Sequence, residues 1–195
     1  ILVGLVGSEM CIRDSCSPET LLLKKGDLIK TKPIAGTLRK TKKINHNKAL
    51  TFFRRNEKET KEHNMIVDME RNDLSKICKT GSVKIDKLKT VEEYRDLFHY
   101  VTTIKGVLKN KITNHEIISS LMPGGSVIGC PKISTIQLLN QKEKSDRNIY
   151  TGSFGIIHSN GDMRFNIMIR TLLNFKNAIE SVSYTHLRAH ETYKD

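Results

Sequence analysis

Short segments rich in β-branched and apolar residues surround one long stretch of helical periodicity in this chain, and no internal repeat links them. Residues 20–24 and 28–32 flank Gly26-Asp27, and this combination predicts a β-hairpin. Residues 48–77 predict a helix, because apolar side chains recur there at helical spacing. The apolar stripe consists of Met65, Ile66, Met69 and Leu74. Together these segments predict a mixed α+β fold.

The following segments fit the same class. Residues 83–86 and 96–108 are rich in β-branched and aromatic residues, which predicts two strands. Thr113 and Glu116 have the spacing of a capping box, so a short helix should begin there and run through Leu121.

Composition excludes several classes of protein. No apolar run approaches the roughly 18 residues needed to cross a bilayer, so we predict no membrane association. The formal charge is +12, but the lysines are scattered, aromatic residues make up only 6% and there is no Trp. This pattern favours a solvated basic surface over a nucleic-acid-binding surface. The four cysteines form no C-x-x-C pair, which indicates free thiols in a reducing, cytoplasmic setting.

The two ends differ from the middle of the chain. Residues 1–15 and 181–195 continue no pattern found between them, and both resemble translated sequencing-adapter read-through. We therefore expect residues 16–180 to be an interior part of a longer protein, with a non-native segment at each end.

A glycine-rich loop at residues 123–132 resembles a phosphate loop but departs from it. Cys130 stands where the lysine should follow the second glycine, and Lys132 comes two places late. Pro131 removes one backbone N–H and suits the first position of a helix. The predicted apolar face of that helix contains Ile133, Ile136 and Leu139. The loop is either a helix N-terminus that attracts an anion such as a carboxylate, or a tight turn entering a buried helix.

Two carboxylates, Glu59 and Glu62, stand three residues apart on the predicted long helix and share one face. Such a pair suits Mg²⁺, which takes one or two protein carboxylates and completes its shell with other oxygens. The alternative is an ordinary solvated face, which the i,i+4 spacing of Glu57 and Lys61 also indicates. A lone histidine in a strand, such as His99, is usually structural.

Residues 149–158 and 163–175 predict a last hairpin around Asn160-Gly161. Arg170 interrupts its second, apolar strand, where a guanidinium suits a carboxylate or a structural ion pair. A two-residue turn at Asn160-Gly161 would place Tyr150 opposite Thr171. A three-residue loop with Gly161 in the left-handed region would pair Tyr150 with Arg170 instead. We predict the three-residue loop, because only that register builds a site.

The ordered set of motifs resembles the chorismate-utilising enzymes, a family that includes anthranilate, aminodeoxychorismate, isochorismate and salicylate synthases. The matching blocks are Ser17-Pro18-Glu19, Pro33-Ile34-Ala35-Gly36-Thr37, residues 62–68 with Arg71-Asn72-Asp73-Leu74, His99, residues 123–132, Tyr150-Thr151-Gly152 and Ile169-Arg170-Thr171. The resemblance implies a fold of two packed antiparallel sheets flanked by helices.

The resemblance also implies roles for individual residues. Glu19 would be the general acid that protonates the departing C4 hydroxyl of chorismate, and His99 would approach that hydroxyl. Glu62, supported by Glu59, would hold Mg²⁺ against the ring carboxylate. Arg170 and Tyr150 would bind the enolpyruvyl carboxylate. The full implied substrate-binding set is Ala35, Gly36, Thr37, Ser126, Lys132, Tyr150 and Arg170.

The resemblance does not fix the product. Covalent aminodeoxychorismate synthases have a lysine at the position of Ala35, and alanine there is more typical of anthranilate synthases. Gly124-Gly125-Ser126 and residues 166–172 look more like aminodeoxychorismate synthase component I, which we favour. Either enzyme would receive ammonia from a glutamine amidotransferase subunit. Family members carry a second pair of metal-binding glutamates further along, so we expect this chain alone to be inactive.

Overall fold

The fold was analysed in a computed structural model, which describes residues 11–15, 17–144, 147, 149–175 and 178–182. Within them the chain forms ten strands and five helices. The strands are β1 (Cys11–Ser15), β2 (Thr20–Lys25), β3 (Leu28–Lys32), β4 (Ile34–Arg39), β5 (Lys84–Glu93), β6 (Leu97–Val107), β7 (Ser153–Ile157), β8 (Met163–Ile167), β9 (Thr171–Phe175) and β10 (Ala178–Val182). The helices are α1 (His46–Arg55), α2 (Glu57–Ile77), α3 (Asn114–Leu121), α4 (Gly125–Ile128) and α5 (Lys132–Lys142).

Two antiparallel sheets organise the described residues, which confirms the predicted α+β class. The larger sheet has seven strands in the order β4-β6-β3-β2-β8-β7, with β5 also paired to β6. The smaller sheet has the order β1-β9-β10. All of β1 and the last two residues of β10 lie in the segments expected to be non-native, and those boundaries stay a prediction.

Strand β6 pairs with three other strands of the larger sheet, β3, β4 and β5. Strands β3 and β4 pair with the same side of β6, and the chain bends between them at Pro33, whose carbonyl accepts a bond from Thr102 N at 3.3 Å. Residues 98–104 of β6 are all buried, as expected for a strand covered on both faces. His99 therefore lies in a buried strand that has paired neighbours on both edges.

Helix α2 packs against this sheet and carries most of the candidate site. One apolar core lies between α2, α3 and the strands, and a second lies between α1 and strands β5 and β6. In the second core, the rings of Phe53 and Tyr100 stack with centroids 4.9 Å apart. The predicted stripe of α2 is buried at Ile66, Met69 and Leu74, but Met65 is 46% exposed and does not belong to it.

Helix α3 begins with the predicted capping box. Glu116 N donates to Thr113 Oγ1 at 3.2 Å, and Thr113 N donates back to Glu116 Oε2 at 2.8 Å. Thr113→Ala should lower the free energy of unfolding by about 1 kcal/mol, because a helix donor loses its partner. Ser119→Ala, in the exposed part of the same helix, is the control for urea unfolding. Equal effects of the two substitutions would contradict the capping role.

Candidate active site

The backbone between β4 and β6 brings three predicted residues together. Thr37 lies directly opposite His99 in the strand pair, and the hydroxyl Oγ1 of Thr37 is 3.0 Å from Nδ1 of His99. The backbone of Gly36 also forms a hydrogen bond with His99. Ala35 is buried beneath this corner. The predicted residues 35–37 and His99 are therefore neighbours in the paired strands β4 and β6.

The surroundings of His99 lower the pKa of its imidazole. Burial lowers its pKa, and the nearby Arg170 guanidinium lowers that pKa further. The hydrogen bond to Gly36 and the charge of Glu92 act in the opposite direction. The effect of Arg170 also indicates that its charge is close to the corner formed by Gly36, Thr37 and His99.

Gly36 lets helix α2 approach this corner. Its φ is +92°, a region that side chains rarely adopt, and a Cβ there would lie 2.9 Å from Phe53 Cε1 and 3.0 Å from Glu59 Oε2. The carboxylate of Glu59 therefore faces the bare backbone of strand β4. Glu62 lies one turn further along α2 and is half-buried.

Glu59 and Glu62 are the residues here that could hold a divalent cation. Hard cations of this kind take a few carboxylate oxygens and leave positions for water and substrate. Glu59 presents an oxygen in the space that any side chain at position 36 would fill. No group of three or more His, Cys, Asp or Glu side chains suited to a metal ion occurs in the part of the chain that the structure describes.

A second cluster of charges surrounds Glu19. Glu19 is 4% exposed, immediately before β2, and its carbonyl accepts a bond from Ile167 N at 3.1 Å. The buried carboxyl of Glu70, on α2, lies close enough for the charge of Glu19 to raise its pKa. Burial is the larger cause, and together these effects raise the pKa of Glu70 to about 8.

Lys132 belongs to this cluster. Its Nζ lies 2.5 Å from Asp73 Oδ2, and both side chains are largely buried. Lys76 donates to the other oxygen of Asp73 at 2.7 Å. Lys132 therefore already has a carboxylate partner on α2, and its predicted contact with substrate stays a prediction.

The glycine-rich loop packs against protein side chains. A Cβ on Gly124 would lie 2.7 Å from Ile167 Cδ1, and one on Gly125 would lie 2.5 Å from Met69 Cε. These glycines therefore let the loop lie directly on β8 and α2, which supports the tight-turn interpretation. The adjoining Ser126 has a buried Oγ that forms no hydrogen bond within the described residues.

Helix α5 departs from the prediction. It begins at Lys132 with Pro131 at the N-cap, not with Pro131 as its first residue. None of its residues is buried, and Ile133 is 74% exposed, so the predicted apolar face is not part of the described core.

The last hairpin has the predicted three-residue loop. His158 N donates to Asp162 O at 2.8 Å, and Gly161 has a φ of +83°. This register pairs Ser153 with Ile167. The strands separate shortly afterwards, because Thr151 and Arg170 both have positive φ values. The predicted contact between Tyr150 and Arg170 stays a prediction.

Arg170 and Tyr150 differ in their surroundings. Arg170 is exposed and has no ion-pair partner among the carboxylates that the structure describes. Its φ of +50° is unusual for a residue with a side chain, and such strain tends to occur at functional positions. Tyr150 lines a cavity of about 490 Å³, with the Arg147 guanidinium 5.6 Å from its ring centroid.

Comparison with known proteins defines the class of this chain. Residues 9–184 match the family model described as chorismate binding enzyme, and the chain belongs to that family. Aminodeoxychorismate synthase component 1 of Bacillus subtilis (strain 168) is 41% identical over 157 residues, which are 80% of this chain and 33% of that protein. The anthranilate synthase component I-like protein of Synechocystis sp. (strain ATCC 27184 / PCC 6803 / Kazusa) is 39% identical over 160 residues, 82% of this chain and 33% of that protein.

A solved structure agrees with this assignment. The crystal structure of anthranilate synthase component I from Streptococcus pneumoniae TIGR4 matches with a TM-score of 0.76 and 32% identity. The match covers 92% of this chain and 40% of that one. The chain thus spans about a third of the length of the curated relatives. No helix among the described residues is long and apolar enough to span a membrane.

Proposed function

We propose that this chain is the chorismate-binding part of an enzyme that aminates chorismate with ammonia and Mg²⁺. The product would be 4-amino-4-deoxychorismate, for para-aminobenzoate and folate biosynthesis. The observation that carries the proposal is the convergence at one corner of Thr37, His99, the Glu59 carboxylate and the Arg170 charge. A ring with two carboxylates needs a cation for each of them. This corner offers the guanidinium of Arg170 for one, and a place for a divalent ion beside the carboxylate of Glu59 for the other.

The residues divide the chemistry between them. Glu19, buried and close to a second carboxyl, holds the proton for the departing hydroxyl. Arg170 binds the enolpyruvyl carboxylate, with Tyr150 beside it. His99, oriented by Thr37, contacts the leaving hydroxyl. The remaining pocket residues in the proposal are Ala35, Gly36, Ser126 and Lys132.

Glu59 and Glu62 would hold the Mg²⁺ ion. When bound, the ion supplies an electrostatic anchor for the ring carboxylate. The carboxylate of Glu59 supports this role, because only a glycine at position 36 leaves room in front of it.

Anthranilate synthesis is the second candidate. The small, buried Ala35 favours it, because an alanine offers no nucleophile for covalent attack on the ring. Relatives with either name are almost equally similar to the chain. In both cases we propose a cytoplasmic protein that receives ammonia from a glutamine amidotransferase subunit.

A segment exchange tests both candidates. The region of the Bacillus subtilis relative that matches this chain is replaced by the matching residues of this chain. We call the resulting chimaeric protein the swap enzyme. With chorismate, Mg²⁺ and ammonium it should form aminodeoxychorismate. Fluorescent anthranilate would favour the second candidate, and a folded swap enzyme that forms neither product would contradict both. This chain alone should form neither product, yet chorismate with Mg²⁺ should raise its melting temperature.

A further inference from the structure

Glu70 is a buried carboxyl that the proposed chemistry has not used. It lies on the inner face of α2 and is 4% exposed. Its Oε2 forms no hydrogen bond within the described residues. Carboxylates are seldom buried without such bonds, because an ionised carboxylate loses its hydration there.

The charges around Glu70 do not compensate its burial. Glu19 approaches from the segment before β2, and Asp73 lies on the next turn of α2. Lys132 and the Thr31 hydroxyl favour the ionised form. Lys132, however, is bound to Asp73 at 2.5 Å, and Asp73 holds Lys76 as well. The net effect is that the pKa of Glu70 rises to about 8, with burial as the main cause.

We propose that Glu70 is a positioning residue for Glu19, which keeps one proton within the Glu19–Glu70 pair at neutral pH. This inference rests on the proposed function, in which Glu19 is the general acid. Two buried carboxyls that interact titrate as a pair, so the proton belongs to both. The pair therefore has a proton to give whenever chorismate is bound.

The proton balance of the reaction closes. Glu19 gives its proton to the C4 hydroxyl as the C–O bond breaks, and water leaves. Glu70 shares this single proton with Glu19 and has none of its own to add, so both carboxyls of the pair are then ionised. The bond from ammonia to carbon forms an ammonium group, and its loss of one proton to the pair yields the amine and restores the starting state.

The first test needs no activity. Infrared spectra of this chain with isotope-labelled glutamate should show a protonated carboxyl band at pH 7 that disappears as the pH rises past about 8. Glu70→Gln should remove the band, and Glu57→Gln, an exposed position on the same helix, should leave it. Absence of the band in the unmodified chain would overturn the proposal, whether or not Glu70→Gln folds.

Stability should follow the same titration. The pKa of Glu70 is raised from 4.5 to about 8 in the folded chain, so the folded state binds more protons in that range and stability falls as pH rises. His63, whose pKa burial lowers from 6.5 to about 4, acts in the opposite direction below pH 6.5. Between about pH 6.5 and 8 the melting temperature should therefore fall more steeply in the unmodified chain than in Glu70→Gln. Equal slopes would count against the proposal.

The swap enzyme separates positioning from a purely structural role. Glu70→Gln should move the basic limb of its kcat/KM profile to lower pH by about one unit or more, because the pair no longer holds its proton. A structural role would lower the whole profile without moving it, and that result would overturn the proposal. If the swap enzyme forms no product at all, the proposed function fails, while the infrared band still reports on Glu70.

Discussion

Replacing Glu19 with Gln should lower the kcat of the swap enzyme for chorismate amination by about 10²- to 10⁴-fold. Glutamine has nearly the same size as glutamate and can still form hydrogen bonds, but it cannot act as an acid. Glu19 is buried next to Glu70, so water has little access to take over proton delivery. The measurement is kcat at saturating chorismate and Mg²⁺, with the binding of chorismate determined separately.

A matched control uses another glutamate of the exchanged region. Glu57→Gln makes the same substitution at the exposed start of α2, where Glu57 pairs with Lys61 at 3.3 Å. This variant should retain the kcat of the parent enzyme. A Glu19→Gln enzyme that keeps its kcat within about tenfold would show that the proton comes from elsewhere.

Short sequence motifs correctly predicted the parts of the fold that depend only on neighbouring residues. The capping box at Thr113 and the loop at Gly161 both form as expected, because each is determined by a few neighbouring residues. The long helix predicted for residues 48–77 is instead two helices that meet at Asn56. The side chain of Asn56 caps α2, accepting from Glu59 N at 3.2 Å. An asparagine three residues before an acidic residue is a signal for such a start.

Tertiary effects account for the other differences. The ladder of the last hairpin ends before Tyr150 and Arg170, because the backbone takes positive φ at Thr151 and Arg170, and neither residue type signals that conformation. The apolar residues of α5 are exposed because no described segment covers them, which periodicity alone cannot reveal.

The candidate site was predictable in its residues but not in its charge network. Motif order identified Glu19, Gly36, Thr37, His99 and Arg170, and the structure brings most of them to the same region. Glu70, the residue of our further proposal, was not among the predicted site residues, although a signal existed: it lies four residues after Ile66 and four before Leu74, on the buried face of α2. A carboxylate at a core position of a helix is worth examining for that reason.

Gly36→Ala should lower the free energy of unfolding and raise the Mg²⁺ concentration that the swap enzyme needs. The new Cβ would lie 2.9 Å from Phe53 Cε1 and 3.0 Å from Glu59 Oε2, so the carboxylate or the ring must move. Overpacking of this kind costs about 1–3 kcal/mol, in addition to the strain of the positive φ. A displaced Glu59 should also raise the Mg²⁺ concentration that the swap enzyme needs, by about 10- to 100-fold.

Gly81→Ala separates the effect of the steric clash from that of the backbone strain. Gly81 has a φ of +75°, close to that of Gly36, but a Cβ there meets nothing within 4 Å. The Gly81→Ala variant should therefore have the backbone strain without the clash. It should lose less stability in urea unfolding than Gly36→Ala does, and its Mg²⁺ requirement should be unchanged. If both variants lose the same stability and neither changes the Mg²⁺ requirement, Glu59 does not depend on the space at Gly36, and its role as a metal ligand loses its structural support.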